Sequence, residues 1–146
     1  MVYSDNVVKF ARTMGFFEGK DADFSYNAAY AAPDFSGRRY CEARVWSFFN
    51  RFADDFSRYV PYAEGKVKDA EPMPLWIIPN KKVSLQDLRV AMRDHYEGTP
   101  MDMTQDIGAG GNALPYRWRP MEFTVDGKTY VNERAIATQQ TGFWMV

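Results

Sequence analysis

Apolar side chains recur at helical spacing along the N-terminal two-thirds of the chain. The first such pattern predicts a helix that Ser4 or Asp5 caps and that Gly15 ends. The second, from Arg38 to about Phe52, predicts a helix with one apolar stripe and a polar opposite face. The stripe consists of Cys41, Val45, Phe48, Phe49 and Phe52, and the polar face consists of Arg39, Glu42, Ser47 and Arg51.

A third helix is predicted after Ser84. A serine followed three residues later by an acidic side chain, here Asp87, is a signature of a helix N-terminus. Gly98 is placed to end this helix. Its apolar positions are Leu85, Leu88, Met92 and Tyr96.

The remaining patterns favour extended chain and turns. Residues 54–74 are expected to be a surface connection, and residues 75–78 to be a buried strand or an extended packing segment. Residues 121–131 predict a β-hairpin around an Asp-Gly turn, and residues 135–146 a last strand. Helices first and antiparallel strands last predict an α+β fold, in a single domain over residues 1–146.

Charge and composition exclude some classes of function. The 18 basic and 19 acidic residues give a formal net charge of −1, so the chain lacks the electrostatic footprint of nucleic-acid or anionic-lipid binding. No window approaches the ~20 consecutive apolar residues of a membrane span, and no signal peptide is visible. We therefore expect a soluble protein, without assigning a compartment.

Cys41 is the single cysteine, which excludes an internal disulfide framework and any multi-cysteine metal site. It could be a nucleophile, but it lies on the apolar stripe of the second helix. A thiol buried among apolar side chains has a raised pKa and is inert. The sequence therefore favours a core position for Cys41.

His95, the only histidine, lies near the predicted end of the third helix, with Asp102 a few residues further on. A histidine with carboxylates, but without a second ligand four residues away, is a poor metal site, and no cofactor is expected. Capping or anchoring of the loop and a role in a pocket both stay open for His95.

Arg117 and Arg119 flank Trp118, so in extended chain their side chains would point to the same side. Paired guanidiniums suit recognition of a carboxylate, and they equally suit a buried salt-bridge network. The glycine-rich stretch from Gly108 to Gly111 lacks the Lys-Ser/Thr of a phosphate loop and favours a flexible turn. The polar residues 138–141, inside the last predicted strand, need partners or a pocket.

Six segments, taken together and in this order, closely resemble the dipeptidase family of N-terminal-nucleophile hydrolases, cysteine peptidase family sixty-nine. The resemblance extends over about residues 6 to 143. The segments are Arg44-Val45-Trp46, Glu71-Pro72-Met73-Pro74-Leu75-Trp76, Arg93 to Thr104, Tyr116-Arg117-Trp118-Arg119-Pro120, Asn132-Glu133-Arg134 and Thr138-Gln139-Gln140-Thr141-Gly142-Phe143.

The resemblance implies a layered αββα hydrolase that splits dipeptides. Members of this family use the thiolate of a cysteine at the mature N-terminus, and its α-amino group, with a pKa near 8, can act as the base. Attack on the peptide carbonyl gives an acyl-enzyme that water hydrolyses. Cys41 does not match that nucleophile, and the chain resembles a middle section of the family. We therefore expect a partial peptidase domain that is inactive by itself, with the nucleophile strand outside this polypeptide.

Two hypotheses follow from these observations. In the first, the chain is part of a dipeptidase that works with the rest of the hydrolase, as another chain or an oligomer. In the second, it is a non-catalytic binding or structural module, or a subunit that completes a site with another chain. The candidates for binding a substrate carboxylate or for structural pairing are Arg117, Arg119 and Arg134. His95 and Asp102 are the candidates for pocket or support residues.

Overall fold

The computed structural model describes residues 4–31, 33–119 and 121–143. Two compact units make up the chain, residues 1–34 and residues 35–146. The single domain expected over the whole chain stays a prediction. Within the described ranges, no helix combines the length and the apolar character that crossing a membrane requires.

The N-terminal unit contains helix α1 (Val7–Thr13), a 3-10 turn (Asp21–Asp23) and helix α2 (Tyr26–Tyr30). The first predicted helix and its end at Gly15, where φ is 71°, are confirmed. The predicted caps are wrong, because Asn6 occupies the N-cap position and its side chain makes no capping hydrogen bond.

The second predicted helix is present, but it carries a π-helical insertion. Helix α3 (Phe35–Gly37), a π-helical segment (Arg38–Glu42) and helix α4 (Ala43–Asn50) follow one another in helical conformation. A π turn holds one residue more than an α turn, and one residue rotates a helical face by about 100°. The predicted stripe is therefore wrong at its N-terminal end, and Cys41 is exposed instead of buried. The inward face of the segment and of α4 consists of Arg39, Ala43, Trp46 and Ser47.

Residues 54–74 are only partly the expected surface connection. A 3-10 helix (Phe56–Tyr59) and helix α5 (Val60–Glu64) lie in this stretch, with Pro61 in the first turn of α5, where a missing N–H is tolerated. The residues that they bury are Phe56, Tyr59, Tyr62 and Ala63. The prediction missed these elements because their buried aromatics lie in turns too short to show a helical period.

The core of the C-terminal unit forms between α4, α5 and the loops that follow α6 (Leu85–Ala91). Trp46 is buried there, and its indole Nε1 donates a hydrogen bond of 3.0 Å to the Phe56 carbonyl oxygen. The Tyr96 hydroxyl donates to the Arg134 carbonyl oxygen at 2.6 Å. The buried members of this cluster are Ala43, Trp46, Phe56, Tyr59, Ala63, Tyr96, Met101, Met103 and Ala135.

A buried carboxylate lies beside this core. Asp94 accepts a hydrogen bond of 2.6 Å from the Ser47 hydroxyl and forms an ion pair with Arg51. Its backbone oxygen accepts from the Ala137 N–H at 3.0 Å. Ser47 and Arg51 were expected on the outward polar face of the second helix, but both turn inward, because a buried carboxylate requires such partners.

The apolar segment before α6 is largely exposed. Leu75, Trp76 and Ile78 are 75%, 70% and 78% exposed, whereas Met73 and Ile77 pack against the core. Of the two alternatives predicted for residues 75–78, the buried strand is wrong, because the segment is irregular and three of its four side chains are exposed. The extended packing segment is confirmed at Ile77 only, which packs against the core.

Helix α6 has the predicted N-terminus. The Ser84 hydroxyl accepts from the Asp87 N–H at 3.1 Å, and the Asp87 carboxylate accepts from the Ser84 N–H at 2.9 Å. The helix ends at Ala91, well before Gly98. It stops early because Asp94 turns into the core and Tyr96 adopts a left-handed conformation with a φ of 66°.

The glycine-rich stretch forms 3-10 helical turns over Ile107–Asn112, interrupted at Gly110, whose φ of 61° is not helical; a flexible turn was predicted here. The Asp106 carboxylate caps it by accepting a hydrogen bond of 3.0 Å from the Ala109 N–H. The cap and the short helix give this stretch a defined backbone course.

The predicted hairpin is confirmed as strands β1 (Met121–Val125) and β2 (Lys128–Asn132), which pair antiparallel with Phe123 opposite Tyr130. Asp126 and Gly127 have φ values of 49° and 73°, the positive values that a type I′ turn requires. The helices and this two-stranded antiparallel sheet confirm the α+β class.

The last predicted strand is wrong over residues 135–143, which form bends and turns, and residues 144–146 lie outside the described residues. The polar residues 138–141 find partners in this turn. The Thr138 and Thr141 hydroxyls are 3.1 Å apart, and the Gln140 amide donates to the Trp118 carbonyl oxygen at 2.9 Å.

The buried carboxylate gives a test of this packing. We expect Asp94→Asn to lower the free energy of unfolding by about 1.5–3 kcal/mol, because it removes the charged acceptor that Ser47 and the partly exposed Arg51 share. Urea denaturation followed by circular dichroism measures the change. Asp69→Asn, at an exposed position, is the matched control and should have almost no effect. Equal losses in both variants would contradict the structural importance of the Asp94 pair.

Candidate functional site

A cleft of about 340 Å³ lies beside the hairpin in the C-terminal unit. Its volume is at the lower end of the range found for small-molecule sites. The cationic side chains that line it are Arg39, Lys66 and Arg117, and the acidic ones are Glu64, Asp102, Asp106 and Glu133. Apolar side chains from the hairpin and the neighbouring loops form much of the remaining wall.

Arg39 enters the cleft from the π-helical segment. Its Nη2 donates a hydrogen bond of 2.9 Å to Oε1 of Glu133, and the two side chains are 8% and 13% exposed. The Arg39 side chain makes no other hydrogen bond to the described residues. This guanidinium therefore retains donors for a ligand in the cleft.

Arg117 has a different role, because its guanidinium is largely occupied by the protein itself. Nη1 donates to the Leu114 carbonyl oxygen at 2.9 Å, and Nη2 donates to the Met103 carbonyl oxygen at 3.0 Å. Nη2 also forms an ion pair with Asp106, while Nε lies 4.0 Å from Oε2 of Glu133. Arg117 thus ties the loops around the cleft together.

The close approach of the Gly108 backbone to the Arg117 guanidinium explains why a glycine is needed at position 108. A Cβ atom at position 108 would lie 2.6 Å from Nε and 2.9 Å from Cζ of Arg117, too close for ordinary contact. The backbone at Gly108 therefore covers one side of this guanidinium only because it has no side chain.

Glu133 lies between the two arginines, and its pKa is raised. Burial is the main cause, and the nearby charge of Asp106 raises the pKa further, whereas Arg39 acts in the opposite direction. The folded chain therefore holds a proton on Glu133 more readily than the unfolded chain does.

Asp102 lies on the same cleft and is fixed by local hydrogen bonds. Its carboxylate accepts from the Gly98 N–H at 2.9 Å, the Thr104 N–H at 2.8 Å and the Thr104 hydroxyl at 2.6 Å. Burial by itself would raise the pKa of Asp102, but these hydrogen bonds outweigh it and the pKa is lowered. Asp102 therefore stays ionised and supports the turn at the cleft wall.

The other three candidates do not line the cleft. His95 is paired with Glu97, with 3.0 Å between Nδ1 and Oε1. Arg119 is exposed and lies over the Trp118 ring at 5.2 Å. Arg134 is exposed as well, and its carbonyl oxygen is the acceptor for Tyr96.

The expectation that the side chains of Arg117 and Arg119 point to the same side is wrong. Arg117 is buried and Arg119 exposed, because the chain bends at Trp118 and Arg119 instead of running as a strand.

Three residues of the cleft were missed as site candidates. Arg39 was assigned to a solvent-facing polar surface, and only the π turn brings it inward. Glu133 lies in one of the segments that carry the family resemblance, which could have indicated it. Asp106 had no comparable signal in the sequence. In the part of the chain that the structure describes, no three His, Cys, Asp or Glu side chains are grouped so that they could hold a metal ion.

Comparison with known families decides the classification. The sequence model of "Peptidase family C69" matches residues 1–145, nearly the whole chain. The chain belongs to peptidase family C69. The resemblance to this family, stated above from six segments, is confirmed.

A curated relative of this C69 chain is a protein of Salmonella dublin described as "Probable dipeptidase". The two are 27% identical over 99 residues, which make up 68% of this chain and 21% of the relative. The matched part of the C69 chain therefore spans about a fifth of the relative's length. No solved structure matches the chain at a significant level.

The contact between Gly108 and Arg117 is open to direct test in this C69 chain. We expect Gly108→Ala to lower the free energy of unfolding by about 1–3 kcal/mol, because the added methyl group displaces the Arg117 guanidinium. Gly111→Ala is the control, since nothing lies within 4 Å of a Cβ atom there. Thermal and urea unfolding measure both variants. A loss at position 111 as large as at position 108 would contradict the steric explanation.

The raised pKa of Glu133 predicts a pH dependence of stability. Between the ordinary glutamate pKa of 4.5 and the raised value, the folded chain binds more protons than the unfolded chain. The contribution of Glu133 to stability therefore falls as the pH rises through that interval. Urea denaturation from pH 4 to pH 8 should show a flatter profile for Glu133→Gln than for the wild type. Glu18→Gln, at an exposed position, is the control and should keep the wild-type profile. If Glu133→Gln also keeps the wild-type profile, the pH dependence of stability comes from a group other than Glu133.

Proposed function

We propose that this chain forms the substrate-binding part of a cysteine-type dipeptidase of the N-terminal-nucleophile class. The observation that carries the proposal is a cleft with buried charges of both signs, in a chain of peptidase family C69. The name of the curated relative, "Probable dipeptidase", supports the same substrate class.

A free dipeptide suits this arrangement because it carries an ammonium group and a carboxylate a few bonds apart. Arg39 offers donors beyond the one that it gives to Glu133, and guanidiniums bind carboxylates well. Asp106 and Glu133 retain acceptor positions, since a carboxylate has about four and each of these uses only some of them. The volume of about 340 Å³ favours a ligand that is small.

In the proposed reaction, the cleft holds the dipeptide and an N-terminal cysteine outside these residues supplies the nucleophile. Its thiolate attacks the carbonyl carbon of the peptide bond, and the cysteine α-amino group carries the proton released from the thiol. The C–N bond breaks, the leaving amine takes that proton, and a thioester remains on the cysteine. Water then hydrolyses the thioester to the free carboxylic acid and thiol.

The position of Cys41 supports a nucleophile from elsewhere. Cys41 is exposed on the π-helical segment, and it is not among the residues that line the cleft. A catalytic group has to lie within reach of the bond that it attacks. We therefore assign no catalytic role to Cys41.

The αββα architecture is part of the proposal, and the hairpin supports it. β1 and β2 pair only with each other among the described strands, so each has an outer edge without a partner. A two-stranded sheet is marginally stable by itself, whereas further strands and a covering helix would stabilise it. We propose that strands outside this chain extend the hairpin into the layered sheet of the enzyme.

Substrate kinetics test the role of the cleft in the full peptidase polypeptide that contains this region. We expect Arg39→Lys, which keeps the charge opposite Glu133 but loses the forked donors, to lower kcat/KM for dipeptides about tenfold or more. The exposed Arg89→Lys is the control and should keep wild-type kinetics. An unchanged kcat/KM in Arg39→Lys would remove Arg39 from substrate binding.

The same assay examines the nucleophile. Dipeptide hydrolysis by the purified 146-residue chain that persists in Cys41→Ser would overturn the requirement for an N-terminal cysteine. Activity of that chain that is lost in Cys41→Ser would instead make Cys41 the nucleophile.

A further inference from the structure

Phe123 and Tyr130 form an aromatic wall on one side of the cleft. They are directly opposite each other on β1 and β2, with ring centroids 5.8 Å apart and an interplanar angle of 18°. Both line the cleft, and they are 40% and 38% exposed. The two rings thus present a partly open apolar surface beside the buried charges.

The core of the protein does not account for this surface. Neither ring belongs to the cluster of buried residues around Trp46 or to the side chains packed against that cluster. Ile107, on the same cleft, is 91% exposed. These side chains are placed where a ligand would remove apolar area from water.

The aromatic wall ends at Phe123 on strand β1, because the next residue on the same face does not line the cleft. Val125 follows Phe123 by two residues, so its side chain lies on the same face of β1. It is exposed, but it does not line the cleft. A substitution at Val125 therefore changes an exposed apolar side chain of the hairpin without changing the wall of the cleft.

From this geometry we infer that the Phe123–Tyr130 wall makes the cleft selective for dipeptides that carry an aromatic or large apolar side chain. The inference rests on the proposed dipeptidase function and adds to it the class of substrate. The charged groups around Arg39 and Glu133 hold the two termini of the dipeptide, which every dipeptide has. The side chain then lies against the rings, where offset or edge-to-face stacking favours an aromatic group.

Dipeptides with small side chains leave the wall in contact with water. They keep the same termini, so they bind to the charged groups without gaining from the rings. The wall therefore changes the ratio of kcat/KM between substrates, whereas the charged groups change kcat/KM for all of them.

The test compares kcat/KM for Phe-Ala, Ala-Phe, Leu-Ala and Gly-Ala in the full peptidase polypeptide that contains this region. We expect the wild type to prefer at least one of the Phe-containing dipeptides to Gly-Ala by about tenfold. Phe123→Ala should abolish most of that preference, because it lowers kcat/KM for the Phe-containing dipeptides much more than kcat/KM for Gly-Ala. Phe123→Leu keeps much of the apolar area and should give an intermediate preference with an intact hairpin. Val125→Ala is the matched control and should retain the wild-type ratio.

The outcomes separate the two proposals. Hydrolysis of all the dipeptides without a preference for large side chains would overturn the selectivity and leave the dipeptidase function standing. An equal loss for every substrate in Phe123→Ala and Phe123→Leu would also overturn it, since the ring would then act on the fold. A folded wild-type enzyme that hydrolyses none of the dipeptides would overturn both.

Discussion

The C-terminal unit depends on the neutralisation of two buried guanidiniums. Arg39 comes from the π-helical segment and Arg117 from the loop before the hairpin, and both are almost inaccessible to water. Their counter-charges, Glu133 and Asp106, come from the chain after β2 and from the cap of a 3-10 helix. A buried charge without a partner is strongly destabilising. Three parts of the chain, around residues 39, 106–117 and 133, are therefore constrained to meet at one place.

The same constraint separates support from recognition within the cleft. Arg117 uses its Nη donors on carbonyl oxygens and on Asp106, which fixes the loops around it. Arg39 gives one donor to Glu133 and keeps the others. Two chemically identical side chains thus differ in availability because their backbones enter the cleft from different sides. The hairpin supplies the apolar part of the same cavity, so charged and aromatic groups meet within one small volume.

The parts of the fold that the sequence predicted well are those that depend on neighbouring residues. The capping box of Ser84 and Asp87 and the turn of Asp126 and Gly127 involve partners at most three residues apart. The π turn that brings Arg39 inward leaves no such local signature, because tertiary packing stabilises it.

The candidate site was predicted less well for the same reason. Arg117 and Asp102 were identified and do lie on the cleft, but Glu133 becomes a site residue through its pairing with Arg39, 94 residues away, and Asp106 through its pairing with Arg117. His95 and Arg134 have suitable chemistry, but His95 is paired with Glu97, Arg134 is exposed, and neither lines the cleft. A polar residue can therefore be recognised as a candidate from its type, whereas its membership of a cavity depends on the fold.

The exposed segment Leu75, Trp76 and Ile78 has a consequence for the colloidal behaviour of the polypeptide. Three large apolar side chains, each at least 70% exposed, lie within four consecutive residues. Contiguous apolar surface of this kind drives self-association unless another surface covers it. Any form of the protein that leaves the segment uncovered will therefore lose solubility as its concentration rises, even when every other part is correctly folded.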